Sequence, residues 1–232
     1  ANIVHSALAN VDLKDGDIVV DTGCNDGTLL NSYPIKVDKV GFDPAQNIDG
    51  TDDTFIRIRD FFNKDSFIKV RGQKKVKIVT SIAMFYDLED PLDFAKNVES
   101  ILDEDGLWIV QMADLPNMLK LNMFDNICHE HLLYFHLSPF EHMLKKANLK
   151  LVDVQKNTAN GSSYRLFVRK LRGPSASEDA TKRINKIRIE EFNMGLDTSV
   201  PYLEFEQNIK KNKVDLLRIL NEAKRTNKKT YI

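Results

Sequence analysis

Val19-Val20-Asp21-Thr22-Gly23-Cys24-Asn25-Asp26-Gly27-Thr28-Leu29-Leu30 runs from an apolar strand through an acidic, glycine-punctuated turn into the start of a helix. Two glycines let the backbone turn sharply and approach a ligand with no Cβ in the way. The first turn of the following helix offers unpaired N–H groups. This architecture holds a nucleoside-bearing cofactor, and the residues between the glycines narrow the choice. A dinucleotide fingerprint starting at Gly23 needs glycine at 25 and 28, where the chain has Asn25 and Thr28. A phosphate loop needs Gly-Lys-Ser/Thr, and Gly27 is followed by Thr28 and Leu29. NAD, ATP and GTP are therefore disfavoured.

A second acid, Asp43, ends the next apolar run, Lys39-Val40-Gly41-Phe42-Asp43-Pro44, 20 residues after Gly23. That spacing puts a carboxylate beside a cofactor's ribose, where it accepts from both hydroxyls. Asp21, next to the first glycine, suits a ligand with a cationic end. S-adenosylmethionine meets both demands, with a ribose for Asp43 and a sulfonium and ammonium for Asp21. The alternative is an ordinary strand-to-helix turn in which Asp43 caps a helix.

The 232 residues, 42% hydrophobic and 29% charged, can bury a full core, so one domain with an appendage is expected. With 33 basic against 34 acidic residues, the net charge of −1 exerts no overall pull toward nucleic acid or membrane, and neither is expected as a partner. No apolar stretch approaches the length of a membrane span, and the N-terminus lacks a signal-peptide pattern. A cytoplasmic enzyme acting on a small molecule is the expectation. Cys24 and Cys128 are the only cysteines and indicate no disulfide framework. The chain starts without Met and ends on Lys228-Lys229-Thr230-Tyr231-Ile232, which reads as the opening of another strand, so a piece of something longer is expected.

Residues 54–58 and 76–82 read as further buried strands, rich in β-branched side chains. Over 91–102, Leu92, Phe94, Ala95, Val98 and Leu102 recur at helical spacing, and Asp105-Gly106 is expected to stop the helix before a strand over 107–112. Alternating strands and helices imply right-handed crossovers and an α/β fold, a parallel sheet with helices on both faces and ligands at the strands' carboxyl ends. Residues 149–154 and 163–168 read as an antiparallel closing pair, giving seven strands in all. Two helices then follow, over 177–196 and 202–225, broken by Gly195 and Pro201. Ile184, Ile187, Phe192 and Leu196 give the first an apolar side; Phe205, Ile209, Leu216, Leu217 and Leu220 do so for the second. The expected domains are 1–172 for cofactor binding and 173–232 for a helical arm. The arm packs on the main domain or on a second copy of the chain, and a plain C-terminal hairpin is an equal reading.

Four of the five histidines, His129, His131, His136 and His142, fall within fourteen residues beside Cys128 and Glu130. Common zinc signatures pair two short-spaced ligand couples, and no second couple exists, so no metal is expected. His136 and His142 read as flanks of a helix over 138–147, without catalytic duty. Glu130 beside His131 is a general-base arrangement, in which a histidine takes a proton from carbon or oxygen and a carboxylate orients it. Following the fifth strand, it lies beside a cofactor's reactive end. On these grounds alone a catalytic and a structural His131 stand level.

Taken together, these residues resemble the sugar C-methyltransferase family, S-adenosylmethionine-dependent enzymes that methylate carbon 3 of nucleotide-linked 4-keto deoxysugars. The turn 21–30 is similar to the family's Asp-x-Gly-x-Asn-Asp-Gly-x-Leu-Leu loop, and Gly41-Phe42-Asp43-Pro44-Ala45 to its Gly-Ile-Glu-Pro-Ala loop. His129-Glu130-His131-Leu132 matches its His-Glu-His-Leu signature, and Asn160-Gly161-Ser162-Ser163-Tyr164-Arg165 is similar to its Gly-Gly-Ser-x-Arg element. The resemblance implies a Rossmann-like seven-stranded methyltransferase sheet with helices on both faces, followed by a C-terminal helical arm. It implies that His131 removes the acidic proton next to the ketone with Glu130 assisting, and that the enolate carbon attacks the sulfonium methyl in line. The expected cofactor-binding set is Asp21, Gly23, Asn25, Gly27, Asp43, Pro44, Asp60, Phe61, Ser81 and Met84. Within it, Phe61 lies against adenine and Asp60 accepts from the adenine amine. Tyr86 and Asp87 are expected to face the pocket.

Cys128 joins the catalytic set at a position where the antibiotic-sugar enzymes carry Tyr, and Gly161-Ser162 stands for a Gly-Gly pair. The family's N-terminal zinc domain and its later C-terminal part lie outside these residues, so no zinc ligand is carried over. The expectation is a C-methyltransferase core in deoxysugar biosynthesis. An O- or N-methyltransferase of a small metabolite, or a cofactor-binding core inactive without its missing domains, is the alternative.

Overall fold

A computed structural model describes residues 2–34, 36–48, 54–229 and 231. Seven strands, β1 (Ile18–Thr22), β2 (Asp38–Phe42), β3 (Ile56–Ile58), β4 (Val76–Ile82), β5 (Leu102–Ala113), β6 (Leu149–Asn157) and β7 (Ser163–Lys170), form one sheet in the order β3-β2-β1-β4-β5-β7-β6. The first five pair in parallel, and β7 enters antiparallel between β5 and β6. The α/β class, the parallel body and the antiparallel closing pair are as expected. Strand order reverses between β1 and β4, the switch point at whose carboxyl ends an open α/β sheet places its ligand crevice.

The central strands are buried on both sides, which explains their continuous apolar runs. On one face Val20, Val79, Trp108, Val110, Leu166 and Val168 pack under α3 (Lys64–Arg71), α4 (Pro91–Ile101) and α6 (Leu137–Lys146). On the other, Val19, Ile78, Ile109 and Phe167 pack against α1 (Asn2–Leu8) and α2 (Thr28–Asn31).

Several boundaries differ from expectation for identifiable reasons. The strand expected at 107 begins at Leu102, because Asp105-Gly106 is a bulged entry into β5 rather than a stop. Gly106 passes so close to β4 that a Cβ would sit 2.9 Å from the Val76 carbonyl oxygen. Among the described residues no helix separates β2 from β3, so the alternation is incomplete there. Pro201 does not break a helix; it sits in the first turn of α8 (Val200–Arg225), where a missing N–H costs nothing.

The arm, α7 (Glu178–Asn193) and α8, is seated over only part of its length. Ile184 and Ile187 join the core, and Phe205 and Leu196 pack on Leu115, Met118 and Leu119 of α5 (Leu115–Lys120). Phe192, Leu216, Leu217 and Leu220, expected on apolar sides, are exposed. Thr230 and Ile232, part of the stretch read as another strand, lie outside the described residues. Among the described residues no helix is long and apolar enough to cross a membrane.

Candidate active site

β1 delivers Asp21 to the crevice, and the chain then turns through Gly23 (φ 77°), Asn25 (φ 46°) and Gly27 (φ 86°). Gly23 and Cys24 donate their N–H groups to the Phe42 carbonyl at 2.8 and 3.0 Å, tying the turn to the end of β2. A Cβ on Gly27 would come within 2.3 Å of Phe55 Cε1, and one on Gly41 within 2.6 Å of Cys24 Sγ and 2.9 Å of Phe55 Cε2, so the glycines make room for that ring and for Cys24. Arg57 stacks on the ring at 4.9 Å from its centroid and donates from Nη1 to the Asn25 carbonyl at 2.5 Å. The loop's shape is thus set from β2 and β3. Asp26 accepts from the Thr28 N–H and Oγ1 at 2.9 and 2.8 Å, an Asx turn around Gly27 that leads into the single-turn α2.

Two acids flank Gly23. Asp21 is buried, and burial pushes its carboxyl up to about 7; the hydrogen bond from Thr80 Oγ1 at 2.5 Å opposes this and the nearby Asp43 charge adds to it. No cation among the described residues pairs with it. Asp43 accepts the Asn25 N–H at 2.8 Å on one oxygen and the Ala45 N–H at 3.0 Å on the other, across Pro44. These bonds orient the carboxylate and leave lone pairs on each oxygen for a ligand's hydroxyls. Met84 lies against Gly23, where an added Cβ would meet its Cγ at 3.3 Å.

Ser81 departs from its expected place. Its hydroxyl is fully buried, 2.7 Å from Thr22 Oγ1 and accepting from Trp108 Nε1 at 3.0 Å, so it ties β1, β4 and β5 together from inside. Asp60 accepts the N–H of its neighbour Phe61 at 2.8 Å, and the Phe61 ring is open to solvent.

The histidine motif forms a surface loop after α5, with Cys128, His129 and Glu130 exposed and His131 half-buried. The His131 ring meets Tyr86 edge-on, with centroids 4.5 Å apart. Its Nδ1 lies 2.8 Å from the Asn126 carbonyl oxygen, a partner only a donor can satisfy. Nδ1 therefore carries a proton, and Nε2 is the nitrogen left to exchange one. Tyr134 donates its hydroxyl to the same carbonyl at 3.1 Å, and the Leu133 N–H donates to the Tyr86 carbonyl at 3.0 Å, pinning the loop beside the end of β4. Tyr86, Asp114, Asn126, His131, Leu133 and Tyr134 line one small cleft.

Glu130 does not orient His131, because its carboxylate faces His129 Nε2 at 4.0 Å and both are exposed. The orienting group is the Asn126 carbonyl. Asp87 stands near the imidazole: burial pushes its carboxyl up and the His131 charge pulls it down. His136 precedes α6, its Nδ1 3.3 Å from Glu191 Oε2 of α7, while His142 is exposed. Glu191, buried, also accepts the Leu137 N–H at 3.0 and 2.9 Å and the Tyr164 hydroxyl at 3.0 Å. Asp114 accepts the Asn117 N–H at 2.8 Å and the Ser162 hydroxyl, which draws the Gly161-Ser162 element to the cleft. Arg57, Asn126 and Asp114 escape a sequence reading. The available signals are an arginine inside a short apolar strand and an aspartate before Leu-Pro, a helix-start pattern.

A methyltransferase-domain family model matches residues 2–154, and a C-methyltransferase C-terminal domain model matches residues 158–232. C-methyltransferase NovU of Streptomyces niveus is 28% identical over 208 residues, covering 88% of this chain and 49% of that protein. The chain thus spans about half the length of the curated relative it matches. Among solved structures, cyclopropane synthase MmaA2 from Mycobacterium tuberculosis superposes with a TM-score of 0.54 at 13% identity, over 73% of this chain and 83% of that one. The 1,6-didemethyltoxoflavin-N1-methyltransferase of Burkholderia thailandensis, which holds S-adenosylhomocysteine, gives 0.52 at 12% identity, over 73% and 75%. These two likenesses are of fold.

Proposed function

The chain belongs to the methyltransferase-domain family, and from that premise we propose that it is the core of an S-adenosylmethionine-dependent C-methyltransferase acting on a nucleotide-activated keto-deoxysugar, with His131 as general base. The observation that carries this reading is the anchored imidazole: Nδ1 is committed to the Asn126 carbonyl at 2.8 Å, which leaves Nε2 for a carbon-bound proton. The C-terminal match to a C-methyltransferase domain and the likeness to NovU support carbon as the acceptor.

The residues at the glycine turn suit the cofactor. Asp21 is a buried acid that no cation pairs with among the described residues, and Asp43 is an acid already aimed by two backbone N–H groups. Asp21 would face the cofactor's cationic end and Asp43 its ribose, with Gly23, Asn25, Gly27, Pro44 and Met84 shaping the wall and Asp60 and Phe61 at the adenine end. When bound, S-adenosylmethionine supplies an electrophilic methyl group. His131 takes the proton from the carbon next to the ketone, and the electron pair of that C–H bond passes into the enolate. The Asn126 carbonyl and Asp87 stabilise the imidazolium so formed. Glu130 and Cys128, exposed on the same loop, are assigned to the substrate side.

The test is hydrogen exchange in deuterated water with nucleotide-linked 4-keto deoxysugars. The protein should wash deuterium into the carbon next to the ketone, and His131→Ala should slow this by about a hundredfold or more. Undiminished exchange in the variant overturns the role of His131, and methyl transfer without exchange points to an oxygen or nitrogen acceptor.

A further inference from the structure

β7 holds three buried basic residues that differ in what neutralises them. Lys170 has Glu104 at 2.9 Å and Glu99 at 3.7 Å. Arg169 donates to the carbonyls of Asp105, Gly106 and Asn10, with the Asp105 charge close by. Arg165 is 7% exposed, and its partners among the described residues are all neutral. Its Nε and Nη2 donate to Gln111 Oε1 at 3.0 and 2.9 Å, and its Nη1 donates to Asn2 Oδ1 at 2.6 Å and Ser6 Oγ at 2.9 Å. No carboxylate among the described residues forms an ion pair with it. Described residues use four of the guanidinium's five N–H groups, and one on Nη2 has no partner among them. A cation out of water with neutral acceptors alone is an uncompensated charge, the situation a ligand's anion relieves.

Its place in the sheet matters as much. Arg165 lies two residues before Phe167 and Gln111 two after Ile109, so both face α1. Gln111 pairs with Ile82 at the end of β4, and its carbonyl accepts the Ala83 N–H at 2.8 Å, one residue from Met84. Asp21, two residues beyond Val19, faces the same side. The α1 side of the crevice thus carries a buried acid at the end of β1 and a buried base beside the end of β5, with β4 between them.

We propose that Arg165 is an anion subsite on the α1 side of the active site, taking a carboxylate or phosphate group of a bound ligand. Which ligand carries that group rests on the functional reading above. The cofactor's methionine tail offers a carboxylate, with its ammonium toward Asp21, and a sugar nucleotide offers phosphate.

Asn2→Asp is the decisive variant, because it keeps the guanidinium in place and gives it a carboxylate of its own. It is titrated calorimetrically beside the wild type and Arg165→Gln with S-adenosylhomocysteine, with 5′-methylthioadenosine, which lacks the amino-acid tail, and with a nucleoside diphosphate. If the anion is the cofactor's carboxylate, Asn2→Asp weakens S-adenosylhomocysteine about tenfold or more and leaves 5′-methylthioadenosine unchanged. If it is a phosphate, the nucleoside diphosphate alone is weakened. Unchanged affinity for all three in Asn2→Asp overturns the proposal, even where Arg165→Gln fails to fold. Should the wild type bind none of them, the functional reading fails and inorganic pyrophosphate decides the subsite. A rise in melting temperature with pyrophosphate that Asn2→Asp abolishes upholds it, and no rise overturns it.

Discussion

Asp21 is held where ionising it is unfavourable, and this has a sign that can be measured. Its carboxyl is raised from 3.8 to about 7, so between those values the folded state keeps a proton that the unfolded state has lost. Stability therefore falls as pH rises through that window, with a full penalty of about 4 kcal/mol above it. Asp21→Asn is expected to be more stable than the wild type in urea melts at pH 8, with the difference vanishing near pH 4. The same variant should bind S-adenosylmethionine less tightly, and affinity that rises from pH 5 to 8 in the wild type should become flat. Tyr33 offers a second test: its buried hydroxyl has no hydrogen-bond partner among the described residues, so Tyr33→Phe should raise stability by about 1 kcal/mol in the same melts. At this scale the sequence speaks through side chains with fixed chemistry. Asp21, Gly23, Gly27 and Asp43 converge as their types demand. The group that orients His131 is a main-chain carbonyl, which no residue type announces. Ser81 misleads because period-two alternation sends its hydroxyl toward Trp108.

Between elements, Glu191 of α7 is a buried polar junction that accepts at the start of α6 and ties it to β7 through Tyr164. Glu191→Ala leaves three donors without their acceptor and should cost about 2–4 kcal/mol in denaturant unfolding, with amide exchange fastest in the first turn of α6. Glu191→Gln keeps one acceptor oxygen and should lose less. Strand positions were legible from apolar runs bounded by Gly, Pro and Asp, and helix starts from Asp90-Pro91 and Ser177. The entry to β5 was not, because Asp105-Gly106 serves close approach to β4 and looks locally like a turn. Nor was the division of α8, whose apolar stripe runs past the point where α5 stops supporting it.

For the molecule as a whole, the sheet ignores the seam between its two matched families. The first match ends at 154, inside β6, and the second begins at 158, before β7, yet β7 is the strand that joins β5 to β6. A fragment of residues 1–157 should therefore lack a cooperative thermal transition by circular dichroism, since it leaves an open edge on β5 and no partner for β6. A sharp transition in that fragment would show that the parallel body folds alone. The late insertion of β7 also bears on how the chain is born. As it leaves the ribosome, the apolar edge of β5 emerges fifty residues before the strand that covers it, by the interval from Ala113 to Ser163. Throughout that interval the nascent chain carries a sticky, unsatisfied sheet edge. Holdase chaperones and the pace of translation over α5, α6 and β6 then govern how much of it reaches the native state.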